Sequence, residues 1–548
     1  MSINPRRDFI KLAAATLSAP ALSLAEAPSH KPRPTAHHEA FYNIRTFGAL
    51  GDARTIDSPA INAAIAAASA AGGGTVFFPA GNYLSYSIRL KSNISLYLDQ
   101  GAVLIAADAA PEGQPSYDFP ETNQPWEAFQ DYGHNHWKNS LIWGIDLQNI
   151  SILGPGRIWG RGLSRNNGPQ LKSSPADKRT DGVGNKTIAL KNCVNVQLRD
   201  FQILKGGWFC LLATGVDNLT IHNLTLDTDR DGFDIDCCRN VRVSNCAINS
   251  PWDDAIVPKS SYALGYLRPS ENITISDCYV SGCWQLGTFL DGTRLPFPAG
   301  GKVYGTGRIK LGTESNGGFK NITITNCIFE GCQGLALETV DGAICEDITI
   351  SNITMRNIIS APIFMRLGSR LRGPAADGPM LTSGSQPEGT KTGVLRRVYI
   401  NNIVCSNSVS KLGCVITGVP NHPIEDIRIQ NVLIHHQGGG TADQSSIHLE
   451  EKENAYPEPG MFGTSPSHGI FIRHVRNIEV SDVRILAATP DARPTFHLED
   501  VDTADFHHVA ATNSTGPTFA LENVRNLTIS RTKGVKDFDE AAPMMRTI

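Results

Sequence analysis

The chain has 548 residues, of which 41% are hydrophobic and 19% charged, with 51 glycines and a formal net charge of −4 at pH 7. These proportions are typical of a soluble, turn-rich globular protein and exclude a disordered chain. Charges of both signs are dispersed, so the sequence predicts neither nucleic-acid binding nor a polybasic membrane patch.

Residues 1–27 have the pattern of an export signal. Arg6 and Arg7 precede a short apolar run that ends in small residues. Paired arginines resemble a twin-arginine signal, by which the Tat machinery exports an already folded protein from a bacterial cytoplasm. The apolar run is broken by Pro20 and is too short to span a bilayer, so we expect no membrane span. We predict a periplasmic or secreted protein in which residues 28–40 form a linker.

A helix is predicted directly before the repeats. Ser58 is the predicted N-cap, Pro59 the first helical residue, and Gly72–Gly74 the stop signal. Because unpaired strand edges promote aggregation, we expect this helix to cover the open end of a stack of strands.

A short motif recurs along the rest of the chain. Each copy begins with Asn or Asp, continues as a β-branched strand, and has a second Asn or Asp five positions later. The heads are Asn195, Asn218, Asn240, Asn272, Asn321, Asp347, Asp426 and Asn477, and Arg397 heads a copy that keeps the pattern except at this position. The shorter steps between heads fit one coil, and the longer ones fit either a coil with a loop or two coils.

One short strand per repeat, bounded by Asn and Gly, predicts an all-β fold, a parallel β-helix or solenoid capped by the N-terminal helix. Stacked coils place apolar residues inside and polar ones outside. We expect residues 41–548 to form a single domain, with loop insertions near 370–392 and 438–468.

The position directly after the second Asn or Asp of the motif indicates that three cysteines are buried. Cys246, Cys278 and Cys327 fill this slot where other copies have aliphatic residues or Phe. We interpret them as buried thiols in an interior ladder. A disulfide through Cys283 or Cys332 remains open, because the protein is predicted to be exported.

Aspartates are concentrated in two consecutive copies. Thirteen residues after their heads stand Asp231 and Asp253, which predicts that they occupy the same slot about 5 Å apart, with Asp254 beside them. Crowded carboxylates repel, which raises at least one pKa and provides a proton donor beside an acceptor, as glycoside hydrolysis requires. Metal binding would use the same residues. For Asp234 and Asp236 we favour a surface ladder that caps turns.

These segments resemble glycoside hydrolase family 28, the right-handed parallel β-helix pectinases that include polygalacturonases and rhamnogalacturonan hydrolases. "DRDGFDID" stands for the family's Asn-Thr-Asp motif and "PWDDAIVPKS" for its Asp-Asp motif, and the likeness runs from "FGALGD" through "YPEPGMFG" to "GIFIRHVRNI". The resemblance implies Asp253 as general acid, Asp231 and Asp254 as the residues that position and deprotonate water, and inversion at the anomeric carbon. It implies no metal and no organic cofactor.

The substrate-binding motifs depart from the family. "RIK", Arg308 to Lys310, stands where Gly-His-Gly belongs, Glu338 lies where the family has a lysine, and no histidine replaces the missing one. The usual uronate-binding set is therefore not intact. Arg308 and Lys310 alternate along a strand, so they either face a cleft and bind a carboxylate or form an ion pair with Glu314 or another exposed acid.

Further binding candidates are Lys259, Arg366 and Tyr456. Trp252 and Trp284 either stack on sugar rings or pack against the solenoid.

Our hypothesis is an exported, monomeric glycoside hydrolase that cleaves pectin-type, galacturonic acid-containing poly- or oligosaccharides. The long loops favour a blocked cleft and attack at the chain end. The alternatives are a calcium-dependent pectate lyase-like β-helix and a non-catalytic glycan-binding solenoid.

Overall fold

The computed structural model describes residues 41–111, 113–124, 126, 132–165, 181–296, 305–373 and 391–548, and these belong to one compact unit. The predicted signal peptide (1–27), the linker (28–40) and most of the insertion at 370–392 lie outside the described residues and stay predictions. No helix within the described ranges is long and apolar enough to cross a membrane.

The strands, β1 to β39 along the chain, pair in parallel along three lines. The first line contains β1 (Phe41–Asn43), β3 (Gly74–Phe78), β6 (Ile94–Leu98), β9 (Gln148–Leu153), β12 (Val194–Arg199), β15 (Asp217–His222), β18 (Arg239–Ser244), β21 (Ser270–Ser276) and β26 (Phe319–Thr325). The second line contains β2 (Asp52–Ile56), β4 (Gly81–Ser85), β7 (Ala102–Ala106), β10 (Arg157–Trp159), β13 (Gln202–Leu204), β16 (Thr225–Asp227), β19 (Ala247–Asn249), β22 (Tyr279–Ser281), β27 (Ile328–Glu330) and β36 (Ala510–Ser514).

The third line, here called the site sheet, contains β5 (Ile88–Arg89), β8 (Ile142–Ile145), β11 (Lys186–Lys191), β14 (Phe209–Thr214), β17 (Asp231–Asp236), β20 (Ile256–Lys259), β25 (Lys310–Leu311), β28 (Leu335–Thr339), β30 (Ile363–Leu367) and β32 (Cys414–Thr417). In later coils longer strands pass through more than one line: β29 (Ile344–Arg356), β31 (Val394–Ser408), β33 (Ile424–Gly438), β34 (Ile470–Asp491), β35 (Phe496–His507) and β37 (Phe519–Ser530). The predicted all-β, right-handed parallel β-helix is confirmed.

Each repeat head lies inside a strand of the first line or inside one of the longer strands that continue this line. All nine heads have a left-handed backbone, with φ between 53° and 61°. Asn adopts this conformation more readily than most residues because its short polar side chain bonds locally. The side chains also stack: Asn272 Nδ2 donates to Asn240 Oδ1 at 3.1 Å, and Asn321 Nδ2 donates to Asn272 Oδ1 at 2.8 Å. The motif therefore fixes both the left-handed backbone at its head and the register of the next coil.

The longer steps between heads are single coils with loops. Ile273 pairs directly with Ile322, as do Ile348 with Val398 and Ile427 with Ile478. The alternative of two coils per long step is therefore wrong, because the strands on either side of each loop are immediate neighbours.

The interior of the helix is a continuous apolar stack. Cys246, Cys278 and Cys327 are buried in it as free thiols, which confirms the predicted ladder. Cys283 and Cys332 are also free, and all twelve cysteines lie in the described part of the chain. The disulfide left open above is absent there.

Short elements close the two ends. The helix α1 (Ser58–Ala70) buries Ile61 and Ile65 against the first coil, but its N-cap is Asp57 rather than the predicted Ser58. The Asp57 carboxylate instead accepts hydrogen bonds from the amides of Leu50 and Gly51. At the other end, β38 (Phe538–Glu540) and β39 (Met544–Thr547) pair antiparallel with β37.

The remaining elements belong to loops. They are the hairpin β23 (Trp284–Leu286) and β24 (Leu295–Pro296) and the 3-10 helices Ile44–Phe47, Tyr132–Asn135, Ala442–Ser446 and Pro459–Phe462.

We expect Asn272→Ala to lower the free energy of unfolding by about 1 to 3 kcal/mol, because it forces a left-handed backbone on alanine and removes two ladder hydrogen bonds. Asn272→Gly is the matched control, since it keeps the backbone relaxed and loses only the side-chain bonds. Urea unfolding followed by circular dichroism compares the two. Equal losses would show that backbone conformation at this position contributes nothing.

Candidate active site

Three aspartates, here called the trio, meet at the middle of the site sheet. Asp231 opens β17, and Asp253 and Asp254 lie in the turn before β20. Phe233 pairs with Ile256, and the Gly232 amide donates to the Asp254 carbonyl at 3.0 Å. Asp254 rather than Asp253 therefore lies opposite Asp231, so the slot predicted from the sequence was one residue off. Carboxylate oxygens of all three nevertheless lie within 4.8 Å of one another.

Asp254 is held in its ionised form. It is 2% exposed, its Oδ1 accepts a hydrogen bond from Arg308 Nε at 2.8 Å, and its Oδ2 lies 2.6 Å from Lys310 Nζ. Burial acts to raise the pKa of Asp254, but the charges of Lys310 and Arg308 outweigh it and lower that pKa to about 2. The two cations occupy both carboxylate oxygens, which makes Asp254 a poor ligand for a divalent metal ion.

Asp231 is the member of the trio that retains a proton. Burial, followed by the charges of Asp253 and Asp234, raises the pKa of Asp231 well above its ordinary value. Asp253 is more open, with 27% of its side chain exposed, and Arg230 Nη2 donates to its Oδ2 at 2.7 Å. The trio thus combines an ionised carboxylate with a neighbouring proton donor.

Lys259, a predicted substrate-binding residue, is buried in an ion-pair network. Its Nζ lies 2.8 Å from His134 Nε2, 3.3 Å from Asp234 Oδ2 and 3.5 Å from Glu314 Oε2. His134 Nε2 is itself 3.0 Å from Asp234 Oδ2. Lys259 therefore supports the floor of the site, because these acids already surround its charge.

The interpretation of Asp234 and Asp236 as a surface ladder is wrong. Both are fully buried on β17. Asp236 accepts hydrogen bonds from the amide and hydroxyl of Ser261, and Asp234 joins the network around Lys259. Burial on the outer face of β17 follows because other segments pack over the site sheet there.

Arg308 and Lys310 do not face an open cleft as one prediction had it. They are 1% and 4% exposed, and the ion-pair alternative describes them, with Asp254 as the acid rather than Glu314. Arg308 Nη2 also donates to Glu458 Oε1 at 2.6 Å. Glu458 belongs to the "YPEPGMFG" stretch of the long loop, so this loop completes the cluster.

Glu338 lies in the same cluster and is also buried. Its Oε2 accepts a hydrogen bond from the Thr313 hydroxyl at 2.9 Å, while its Oε1 lies 3.9 Å from Arg308 Nη2. Within the described residues, Oε1 has no hydrogen-bond partner. Burial raises the pKa of Glu338 to about 8 against the lowering effect of Lys310 and Arg308, so the group carries a proton at neutral pH.

Arg366 and Tyr456 lie at the long loop of residues 439–469. The Arg366 guanidinium is buried and donates to the carbonyls of Gly418 at 2.9 Å and Glu451 at 2.7 Å. It anchors the loop through these carbonyls, and its assignment to substrate binding stays a prediction. The half-exposed Tyr456 ring lies 5.9 Å from the Arg370 guanidinium, beside the cluster.

Packed segments cover the site sheet on both sides of the trio. On the N-terminal side, Trp137 packs on Phe209. On the C-terminal side, Leu449 and Phe462 from the long loop pack on Phe364. The trio therefore lies in a short gap between two covered stretches of the sheet.

Trp252 and Trp284 line a small groove beside the trio, together with Asp229 and Lys205. Their position is compatible with stacking on a sugar ring, which stays a prediction.

Sequence reasoning missed His134, Asp234 and Glu458. His134 is 125 residues from Lys259, and Glu458 is 150 residues from Arg308, so no repeat period connects them. His134 comes from another segment and contacts Lys259 and Asp234, so a histidine lies near the trio although none stands at the position of the family motif. The one available signal was the charged residue inside "YPEPGMFG", since an acid between two prolines is an unusual choice for a loop that packs on the core.

Two family models match separate parts of the chain. One is described as rhamnogalacturonase A/epimerase, pectate lyase-like, and covers residues 41–152. The other is described as a right-handed β-helix region and covers residues 186–372.

Relatives were found among curated proteins and solved structures. A probable polygalacturonase from Vitis vinifera is 24% identical over 407 residues, 71% of this chain and 73% of the relative. An exo-poly-α-D-galacturonosidase from Dickeya chrysanthemi is 24% identical over 368 residues, 59% of this chain and 56% of the relative. A family 28 exopolygalacturonase from Yersinia enterocolitica has a TM-score of 0.55 at 19% identity, covering 92% of this chain and 79% of its own. The chain is thus a right-handed parallel β-helix protein with polygalacturonase-like relatives.

Proposed function

We propose that the protein is a glycoside hydrolase that cleaves pectin-type, galacturonic acid-containing poly- or oligosaccharides. The observation that carries this proposal is the trio, whose carboxylate oxygens lie within 4.8 Å of one another while their ionisation differs. Hydrolysis of a glycosidic bond needs one carboxyl to protonate the leaving oxygen and another to handle water. The polygalacturonase among the relatives supports the substrate class.

The roles within the trio follow from exposure and charge. Asp253 is the most open of the three and can reach the glycosidic oxygen, so we assign it the delivery of the proton to the leaving group, with the buried proton of Asp231 beside it as the reserve. Asp254 stays charged, holds the attacking water through a remaining lone pair and accepts its proton, and stabilises the positive charge of the oxocarbenium-like transition state. A carboxylate clamped by two cations is a weak nucleophile, which favours attack by water and therefore inversion.

The covered sheet on both sides of the trio supports attack at the chain end. A polysaccharide cannot pass straight along the site sheet without displacing Trp137 on one side or Phe462 on the other. One curated relative is also named as an exo-acting enzyme.

The two alternatives remain distinct in their tests. A calcium-dependent lyase needs carboxylate oxygens that carry no other cation, and those of Asp254 already contact Arg308 and Lys310, whose charges would repel calcium. Hydrolysis that persists in chelator, without an unsaturated product, would exclude the lyase. A glycan-binding solenoid would release no reducing ends.

Early products are expected to be single terminal units in the inverted anomeric configuration. Proton NMR of the first minutes of reaction, before mutarotation, reads both size and configuration. A random ladder of fragments would contradict chain-end attack, and retained configuration would contradict attack by water.

Asp253→Asn should reduce kcat by about 10²- to 10⁴-fold, because it removes the proton donor without changing shape. The variant should keep the wild-type unfolding temperature. Asp277→Asn is the matched control, since it places the usual repeat residue at a ladder position outside the site, and should leave kcat unchanged. Activity in Asp253→Asn equal to wild type would remove this residue from the mechanism.

Lys310→Met should move the acid limb of kcat/KM to higher pH. In the wild type the pKa of Asp254 is lowered to about 2, so its charge is lost only as pH falls through that value. Without Lys310 the effect of burial is opposed by Arg308 alone, the pKa of Asp254 rises, and protonation begins at higher pH. The alkaline limb, which reports loss of the proton held by Asp231, should stay.

The control for this profile is Lys533→Met, which removes an exposed lysine near the C-terminus. An acid limb that does not differ between Lys310→Met and this control would contradict the assignment of Asp254.

A further inference from the structure

The cations of the site are already neutralised by the protein's own acids. Each lies within 3.3 Å of a carboxylate oxygen: Arg230 and Asp253 at 2.7 Å, Lys259 and Asp234 at 3.3 Å, Lys310 and Asp254 at 2.6 Å, and Arg308 with both Asp254 at 2.8 Å and Glu458 at 2.6 Å. A sugar carboxylate that approaches Arg308 or Lys310 therefore meets a cation that already has a carboxylate partner, whereas the exposed Lys205 lies apart, in the groove of Trp252 and Trp284.

Taking a cation from one of these pairs is unfavourable. If a uronate captured Arg308 or Lys310, the buried Asp254 would lose a partner in a region shielded from water. Breaking a buried pair is far more unfavourable than breaking an exposed one, because the remaining charge is left without compensation. Each of the two cations also already has its own carboxylate, Lys310 with Asp254 and Arg308 with Asp254 and Glu458, while Glu338 stands protonated beside them.

Glu458 is the group that closes the outer side of Arg308. Its side chain is 34% exposed, whereas that of Arg308 is 1% exposed, so Glu458 stands between the guanidinium and solvent. Its Oε1 takes the Nη2 donor that a uronate carboxylate would otherwise bind. Glu338 faces the same Nη2 from within at 3.9 Å.

Glu338 adds a group suited to an uncharged ligand. A protonated carboxyl both donates and accepts a hydrogen bond, as a sugar hydroxyl does, and one of its oxygens is unpartnered among the described residues. The same group would repel a carboxylate once it ionised.

We propose, resting on the function proposed above, that the subsite over Arg308 takes an uncharged sugar unit of a pectic glycan, and that Glu458 sets this selectivity by occupying Arg308. An uncharged unit is either a neutral sugar or a uronate whose carboxylate is esterified. Unesterified homogalacturonan is accordingly a poor substrate.

Three sets of oligosaccharides test the proposal on the full-length protein: unesterified oligogalacturonides, the same oligomers fully methyl-esterified, and rhamnogalacturonan oligomers that contain a neutral sugar. We expect kcat/KM, measured by reducing ends, to be about tenfold or more higher on at least one uncharged set than on the unesterified oligomers. A uronate would have to displace the charge-assisted bond between Glu458 and Arg308, which is worth roughly that factor. The second and third sets distinguish an ester from a neutral sugar.

Glu458→Gln should raise kcat/KM on the unesterified oligomers about tenfold, because it replaces the charge-assisted bond to Arg308 Nη2 by a weaker neutral one that a sugar carboxylate can displace. A purely structural role of Glu458 would lower activity on every set. Glu450→Gln, on the same loop with 79% of its side chain exposed, is the matched control and should change none of the rates.

A wild-type preference for unesterified oligomers, or no gain on them in Glu458→Gln, would overturn the inference and leave the hydrolase intact. No hydrolysis of any set would overturn the proposed function and the inference with it.

Discussion

The register between consecutive coils is the constraint on which the rest of the structure depends. Each copy of the motif begins at a head residue with a left-handed backbone, and the side chains of heads in neighbouring coils form hydrogen bonds, as those of Asn272 and Asn240 do. A slip by one residue would send apolar side chains outward and polar ones inward. The same register sets Asp231 opposite Asp254, so the site is a consequence of how the coils stack.

This register buries several acids, and buried carboxylates need compensating positive charge nearby. Asp254 and Asp234 are almost fully shielded from water, where an unpaired carboxylate is very unfavourable. Lys259, Lys310 and Arg308 compensate these negative charges. They also pair with acids from segments that are distant along the chain. Stability and reactivity are therefore coupled, because the cations that make a buried Asp254 tolerable are also those that keep it ionised at working pH.

Much of this arrangement could be predicted from the sequence, and the remainder has an identifiable physical reason. The stacking of the repeated strands, the burial of Cys246 and the proximity of the three aspartates follow from the repeat of the motif and from turn chemistry. Counting along the chain misplaced the partner of Asp231 by one residue because the turn before β20 is longer than its counterpart before β17. His134 and Glu458 arrive from segments that share no period with the coils, so only tertiary packing places them.

The coils place the trio and a loop places Glu458, which suggests how a parallel β-helix can be adapted to different substrates. The coils supply the trio, and a change there alters the core and the register together. Loops such as 439–469 are inserted between coils, and this loop places the carboxylate of Glu458 on Arg308. On the proposed function, selectivity can therefore change through the charge that a loop brings, while the stacking of the coils keeps the trio in place.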